Sequence, residues 1–186
     1  MTRETAPDIR LDTVTAPELA PFEALYLNAF PESERKPFAL LQTRAAEGKA
    51  ELLSIRCRDL FAGLVITLLD GKYALVDYLA VSPDFRNHGI GAVALDLIRS
   101  RYPDRLVFLE IEEPKTEIQE RRRRFYMRNG ILPTGLAVEL FGEEMLILSD
   151  GGAPVPYDEY EALLYHTAGV YTRGKVKCRG FTPPQA

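Results

Sequence analysis

The chain is poor in the residue types that build metal centres and disulfide frameworks. Its 186 residues include two cysteines, Cys57 and Cys178, two histidines, His88 and His166, and no tryptophan. Cysteines so few and so far apart exclude a disulfide scaffold and a zinc knuckle, and a histidine-based metal site is poorly supplied. We therefore expect no metal cofactor.

Long hydrophobic runs and an excess of one charge are also lacking. The most apolar stretch, Leu60–Leu69, is interrupted by Gly63 and Thr67, and it has about half of the ~20 residues that span a bilayer. The N-terminal segment mixes charges with prolines, which the core of a signal peptide does not. The net charge of -4 argues against wholesale coating of nucleic acid. These absences favour a cytoplasmic protein with neither a membrane nor a nucleic-acid partner.

What is present is the composition of an ordinary globular protein, 46% hydrophobic and 27% charged. A single core can accommodate a chain of this length. We therefore predict one domain over residues 1–186. Its core spans about 8–150, and a C-terminal extension over 151–186 contains one helix.

Hydrophobic periodicity and turn residues predict a mixed order of strands and helices. The predicted strands are 8–15, 50–58, 60–69, 73–81, 106–111, 135–141 and 144–149. The predicted helices are one that opens at Ala16, then 38–47, 89–101, 117–129 and 158–168. The strand–helix–strand unit from 73 to 111 implies a parallel pair, because a crossover of this length returns alongside. We expect an α/β fold, with a mixed sheet of about seven strands flanked by helices. We expect the basic tail over 173–179 to form a surface strand or a loose end.

The turn between the strand 73–81 and the helix 89–101 carries the clearest chemical signal. Gly89 and Gly91 bring the backbone close to whatever lies above the first helical turn. Free N–H groups and the helix dipole there suit a phosphate. The turn matches neither the Rossmann nor the Walker A pattern. As a bare pattern, two glycines in a strand-to-helix turn often serve packing alone.

Together with Arg86, these glycines resemble the acyl-CoA loop of the GNAT superfamily of N-acetyltransferases, which reads Arg/Gln-x-x-Gly-x-Gly/Ala. A second family pattern is matched by Phe125, Tyr126 and Gly130 on the following helix. The resemblance covers about residues 73–149. It implies the GNAT fold, in which a splayed parallel pair of strands holds the acyl-CoA. It also implies transfer of an acetyl group from the co-substrate acetyl-CoA to a primary amine, by direct attack in a ternary complex.

The resemblance further implies a set of cofactor-binding residues. Backbone N–H groups of 87–92 would cradle the pyrophosphate beside Arg86, and the backbone of 79–81 would contact the acyl end of the pantetheine. Gln119 stands where many members have asparagine, and its amide keeps a cofactor contact available. Arg122, by contrast, replaces a usual alanine. The set is Leu79, Ala80, Val81, Arg86, Asn87, His88, Gly89, Ile90, Gly91, Ala92, Gln119 and Tyr126.

Three side chains are the candidates for catalysis. The acceptor arrives as an ammonium ion and must lose a proton before it attacks. Glu110 is the first choice for this base, directly or through water, and Asp77 is the second. Tyr126 would give a proton to the departing thiolate. The alternatives are a solvated Glu110 at a strand end, an Asp77 paired with a neighbouring cation, and a Tyr126 that belongs to the core.

The chemical class of the acceptor is inferred from charge alone. Acidic residues near the cleft favour a cationic amine, either a small molecule or a peptide; they are Glu32, Glu34, Asp77, Glu110 and Glu112. The arginines at 121–124 point in different directions around a helix, so they do not form a nucleic-acid stripe. The alternative function is a non-catalytic acyl-CoA-binding sensor or partner module on the same fold. The identity of the acceptor and a homodimeric state are both left open.

Overall fold

A computed structural model of the chain describes residues 8–181. Its strands are β1 (Ile9–Thr13), β2 (Ala50–Cys57), β3 (Leu60–Asp70), β4 (Tyr73–Val81), β5 (Leu106–Glu112), β6 (Ile131–Leu140), β7 (Glu143–Asp150) and β8 (Val176–Phe181). Its α-helices are α1 (Leu19–Ala29), α2 (Phe38–Ala46), α3 (Ile90–Arg101), α4 (Glu117–Arg128) and α5 (Tyr157–Ala168). None of these helices is long and apolar enough to cross a membrane.

The strands form one sheet in the order β1-β2-β3-β4-β5-β7-β6-β8. β4 and β5 are parallel and all other neighbours are antiparallel, which confirms the predicted mixed sheet. The sheet has eight strands rather than about seven, because the basic tail forms β8 against β6. All residues of β8 after Val176 are exposed, so this strand adds little apolar surface to the core.

β6 also begins earlier than its sequence pattern indicates. The predicted strand starts at Gly135, whereas β6 starts at Ile131. Pro133 and Gly135 are residues that ordinarily mark a turn or a bulge in a strand. The pairing with β7 shifts register between Pro133 and Ala137. The strand therefore continues through both residues at the cost of an irregular ladder.

The helices divide between the two faces of the sheet. One core cluster contains apolar side chains of α1, α2 and α5, such as Phe22, Leu41 and Leu163. The other contains side chains of α3, such as Leu95 and Ile98, with the aromatic residues of α4 packed against it. A cleft that passes through the sheet would therefore connect the α3–α4 face with the α1–α5 face.

Such an opening exists where β4 and β5 diverge, as the family resemblance implies. Their parallel pairing ends at Val76 and Leu109. Asp77 is skipped in the pairing of β4 with β3, since Val76 faces Thr67 and Tyr78 faces Ile66, so it is the extra residue of a β-bulge. Asp77 and Glu110 are thus the first residues after the parallel pairing ends, at the apex of the opening.

The helix that carries Tyr126 begins with a capping box. The Thr116 hydroxyl accepts a hydrogen bond from the Gln119 N–H, and the Gln119 side chain accepts one from the Thr116 N–H at 3.0 Å. We expect Thr116→Ala to lower the free energy of unfolding by about 1 kcal/mol, because an orphan helical N–H loses its acceptor. Urea unfolding of this variant beside Thr116→Ser, which keeps the hydroxyl, measures the effect. Equal losses of stability in both variants would contradict the role of the Thr116 hydroxyl as the helix cap.

Candidate active site

A groove of about 650 Å³ lies over the start of α3 and against α4. The turn before α3 has positive φ at Asn87 (65°) and at Gly89 (75°), the left-handed region that favours glycine. A Cβ added at Gly89 would meet nothing within 4 Å, whereas one at Gly91 would come within 3.1 Å of the Phe125 ring. The second glycine therefore lets α3 and α4 approach closely beneath the groove.

The charged side chains that line this groove are all basic. They are Arg86, Arg121, Arg122 and Arg128. The helix N-terminus adds free N–H groups and the positive end of its dipole. The groove is thus electrostatically suited to a phosphorylated ligand.

Nine of the twelve residues predicted to bind cofactor line this groove; they are Leu79, Val81, Arg86, Asn87, Gly89, Ile90, Gly91, Ala92 and Tyr126. Ala80 lines the adjoining cavity instead. His88 is exposed and is not among the lining residues. Gln119 is absent from the lining as well, because its side chain is engaged in capping α4.

The adjoining cavity, of about 380 Å³, lies between the diverging strands and the segment that joins α1 to α2. It shares Leu79, Val81, Arg86, Arg122 and Tyr126 with the groove, so the two spaces are continuous. Five carboxylic acids line it, namely Glu34, Asp77, Glu110, Glu112 and Glu143, and they outnumber its three basic side chains, Lys36, Arg86 and Arg122. The basic groove therefore opens into an acidic cavity.

Glu110 lies at the apex of the opening, partly buried. The Tyr160 hydroxyl donates a hydrogen bond to its Oε1 atom at 2.7 Å. Burial raises the pKa of Glu110 to about 7 against the opposing effect of the Lys36 ammonium, and the Asp77 carboxylate adds to the rise. A carboxyl group with such a pKa can both accept and release a proton near neutral pH.

Asp77 is paired with a cation, which is the alternative to a catalytic role for this residue. Lys36 Nζ lies 2.7 Å from Asp77 Oδ1, and both side chains are 3% exposed. Burial lowers the pKa of Lys36, but the Asp77 and Glu110 carboxylates outweigh this and hold it above its ordinary value. The second oxygen of Asp77, Oδ2, is buried without a hydrogen-bond partner.

The segment between α1 and α2 forms a wall of the cavity and is held by tyrosines. The Lys36 N–H donates to the Tyr78 hydroxyl at 2.9 Å, and the Tyr26 hydroxyl donates to the Lys36 carbonyl at 2.7 Å. The Tyr78 hydroxyl in turn donates to the Glu34 carbonyl at 2.9 Å. This segment, framed by Pro31 and Pro37, therefore covers one side of the cavity.

Glu34 and Glu112 lie close together in the lining of the cavity. Burial raises the pKa of Glu34 to about 7, and the neighbouring Glu112 carboxylate contributes to the rise. Glu112 also accepts a hydrogen bond from Arg122 at 2.9 Å. The arginine that replaces the usual alanine therefore meets an acid where the groove joins the cavity.

Tyr126 lies at the junction of the two spaces and lines both. Its ring packs edge-on against Phe125, with 5.2 Å between the centroids. Burial raises the pKa of its hydroxyl above the ordinary value, and the Arg122 guanidinium opposes part of that rise. The hydroxyl therefore stays protonated at neutral pH.

Comparison with known proteins agrees with this architecture. The sequence model of the Acetyltransferase (GNAT) family matches residues 19–131, more than half of the chain. The chain belongs to the GNAT family of acetyltransferases. A search of curated protein sequences finds no match to this acetyltransferase.

Solved structures share the fold of this acetyltransferase at low sequence identity. A protein from Bacteroides thetaiotaomicron assigned to the GNAT family has a TM-score of 0.69 and 20% identity, over 88% of this chain and 98% of its own. A GNAT acetyltransferase from Elizabethkingia anophelis with acetyl-CoA bound has a TM-score of 0.56 and 17% identity, over 76% and 97%. A spermidine N-acetyltransferase variant from Vibrio cholerae has a TM-score of 0.58 and 14% identity, over 76% and 92%.

Two residues of this GNAT site have no signal in the sequence. Lys36 lies in a polar segment and Tyr160 in the extension after residue 150, and neither belongs to a motif. Their partners, Asp77 and Glu110, lie on β4 and β5, the strands that precede and follow the motif-bearing turn and α3. Within residues 8–181, no cluster of three or more His, Cys, Asp or Glu side chains is arranged to hold a metal ion.

Proposed function

We propose that this acetyltransferase moves an acetyl group from acetyl-CoA to a cationic primary amine. The observation that carries the proposal is the junction at Tyr126, where a groove lined by four arginines opens into a cavity in which five carboxylic acids outnumber three basic side chains. An anionic co-substrate and a cationic acceptor would each meet side chains of opposite charge. Their reacting ends would then come together at the junction.

The groove suits acetyl-CoA in shape as well as in charge. The open space at Gly89 and the free N–H groups of the first turn of α3 fit a pyrophosphate. The edge of β4 that faces β5 has no strand partner after Val76. This edge gives the pantetheine arm backbone groups with which to form hydrogen bonds, and it leads toward Tyr126.

The acceptor end suits an ammonium group. The buried Oδ2 atom of Asp77 has no hydrogen-bond partner, and such an atom is costly unless a donor reaches it. Glu110 and the Glu34–Glu112 pair line the same cavity. An ammonium group entering the cavity would supply the missing donor.

The proposed chemistry needs no acyl-enzyme. Glu110 accepts a proton from the ammonium group, directly or through water, and the freed nitrogen attacks the thioester carbon. The new C–N bond forms, the C–S bond breaks, and Tyr126 gives its proton to the departing thiolate. Glu110 and the acetylated nitrogen each release a proton to solvent, and Tyr126 takes one back, so each turnover releases one proton with the amide and the free CoA thiol.

Release of the free CoA thiol with a panel of amines tests this proposal. We expect turnover with mono- and diamines and with peptide N-termini, but little with amino acids whose extra carboxylate meets the acidic cavity. We expect Tyr126→Phe to lower kcat by about 10²-fold, since the thiolate loses its proton donor. Tyr165→Phe, a change at an exposed tyrosine of α5, serves as the matched control.

One outcome of the same experiment would favour the non-catalytic sensor. Acetyl-CoA would raise the melting temperature of the protein, yet no amine in the panel would release CoA. Tyr126→Phe would then leave every measured property unchanged. Turnover with any of the amines excludes the sensor.

A further inference from the structure

The C-terminal extension contributes a side chain to the surroundings of the proposed base. Tyr160 lies on α5, beyond the residues 19–131 that match the family model. Its side chain is fully buried, with 0% exposure, and its ring packs edge-on against Phe108 with 6.3 Å between the centroids. Phe108 precedes Glu110 by two residues on β5, so both side chains point to the face that α5 covers.

The Tyr160 hydroxyl is directed at one partner. It donates a hydrogen bond to Glu110 Oε1 at 2.7 Å, which is a short bond to a charged acceptor. Tyr160 is not among the residues that line the cavity, whereas Glu110 is. Any effect of Tyr160 on an acceptor would therefore act through Glu110.

The other charged groups around Glu110 do not replace this bond. Asp77, on β4, repels the Glu110 carboxylate, and Lys36 attracts it. The Lys36 ammonium, however, donates its hydrogen bond to Asp77 at 2.7 Å. The residue of β7 opposite Glu110 is the apolar Ile147. Among these neighbours, Tyr160 is therefore the one that donates a hydrogen bond to the Glu110 carboxylate.

We propose that Tyr160 is a positioning residue whose hydrogen bond holds the Glu110 carboxylate in the orientation that faces the cavity. This inference rests on the proposed function, in which Glu110 is the base. A donor bonded to the ionised form favours that form, so loss of the hydroxyl shifts Glu110 toward its protonated, inactive form. The extension is then part of the catalytic apparatus as well as of the fold.

The test compares Tyr160→Phe with the unmodified protein and with Tyr157→Phe. Tyr157 lies on the same helix and hydrogen-bonds Glu161 rather than Glu110, so it is the matched control. The titration of Glu110 is followed by NMR of the glutamate side-chain carboxyl carbon, with Glu110→Gln to identify the resonance. We expect Tyr160→Phe to raise the pKa of Glu110 by about one unit, and Tyr157→Phe to leave it unchanged.

The pH profile gives the second readout. In Tyr160→Phe, the acid limb of the pH profile of kcat/KM should shift to higher pH by about one unit, as the pKa of Glu110 does. Turnover near pH 7 should fall by about fivefold and recover at about pH 9. A merely structural role predicts a loss that high pH does not rescue. An unchanged titration of Glu110 in Tyr160→Phe would overturn the proposal.

The two readouts also separate this inference from the proposed function. If Tyr160→Phe shifts the pKa of Glu110 but leaves the pH profile of kcat/KM unchanged, Tyr160 orients Glu110, but Glu110 is not the base. The inference about Tyr160 then stands, while the mechanism proposed for the acetyl transfer fails at its first step.

Discussion

Replacing Glu110 with glutamine should lower kcat/KM for acetyl transfer by about 10²- to 10⁴-fold, the range typical of a general base. Glutamine has nearly the shape of glutamate and still accepts the hydrogen bond from Tyr160, but it cannot take a proton. The pKa of Glu110, raised to about 7 chiefly by burial, predicts an acid limb in the pH profile of kcat/KM near that value. In the glutamine variant this limb should disappear.

A stability measurement separates this loss of activity from a folding defect. The pKa of Glu110 is higher in the folded protein than in the unfolded chain, so its favourable contribution to stability is complete at low pH and is lost as the pH rises through about 7. Glu110→Gln removes the cost of ionising a buried carboxyl. The variant should therefore resist urea at about pH 8 at least as well as the unmodified protein.

The matched control for this prediction is Glu113→Gln. Glu113 is exposed, lies just beyond the end of β5, and does not line the cavity. It should retain full activity across the pH range. If Glu110→Gln also retains full activity, the base has been assigned to the wrong residue.

The elements of this fold follow from its sequence to a large extent. Alternation and turn residues such as Asp70 and Gly71 identify the antiparallel strands, and the glycines before α3 identify the turn that lines the groove. Charge segregation is visible too, since the glutamates on and just after β5 precede the arginines of α4. These features are local, and local patterns are what a single sequence displays.

The contacts inside the candidate site cannot be predicted in this way, because they join segments that are distant in the sequence. The bulge at Asp77 arises only in the pairing of β4 with β3. Lys36 is 41 residues from Asp77, and Tyr160 is 50 residues from Glu110. No periodicity links such positions. The sequence can therefore identify the two acids and leave open whether each is free, paired or hydrogen-bonded.

Replacing Lys36 with methionine should lower the free energy of unfolding by about 3–5 kcal/mol, the range for removing one partner of a buried ion pair. Methionine fills most of the space of the lysine stem but leaves the carboxylate of Asp77 buried without its cation. Both side chains are 3% exposed, so water cannot readily solvate the remaining charge. Urea unfolding measures the loss, and Lys49→Met, at a more exposed ion pair, should change stability far less.

The double variant Lys36→Met/Asp77→Leu decides whether the uncompensated charge causes this loss. Apolar residues of similar volume often replace a buried ion pair at little cost, so the double variant should recover most of the stability. The segment between α1 and α2 keeps its backbone hydrogen bonds to Tyr26 and Tyr78 in both variants. If the double variant is as unstable as Lys36→Met, the lysine stem rather than its charge supports the cavity wall. If stability is recovered, any remaining loss of acetyl transfer measures the contribution of the ion pair to binding the acceptor. The double variant no longer has the Asp77 carboxylate, which is the group that would bind an ammonium ion.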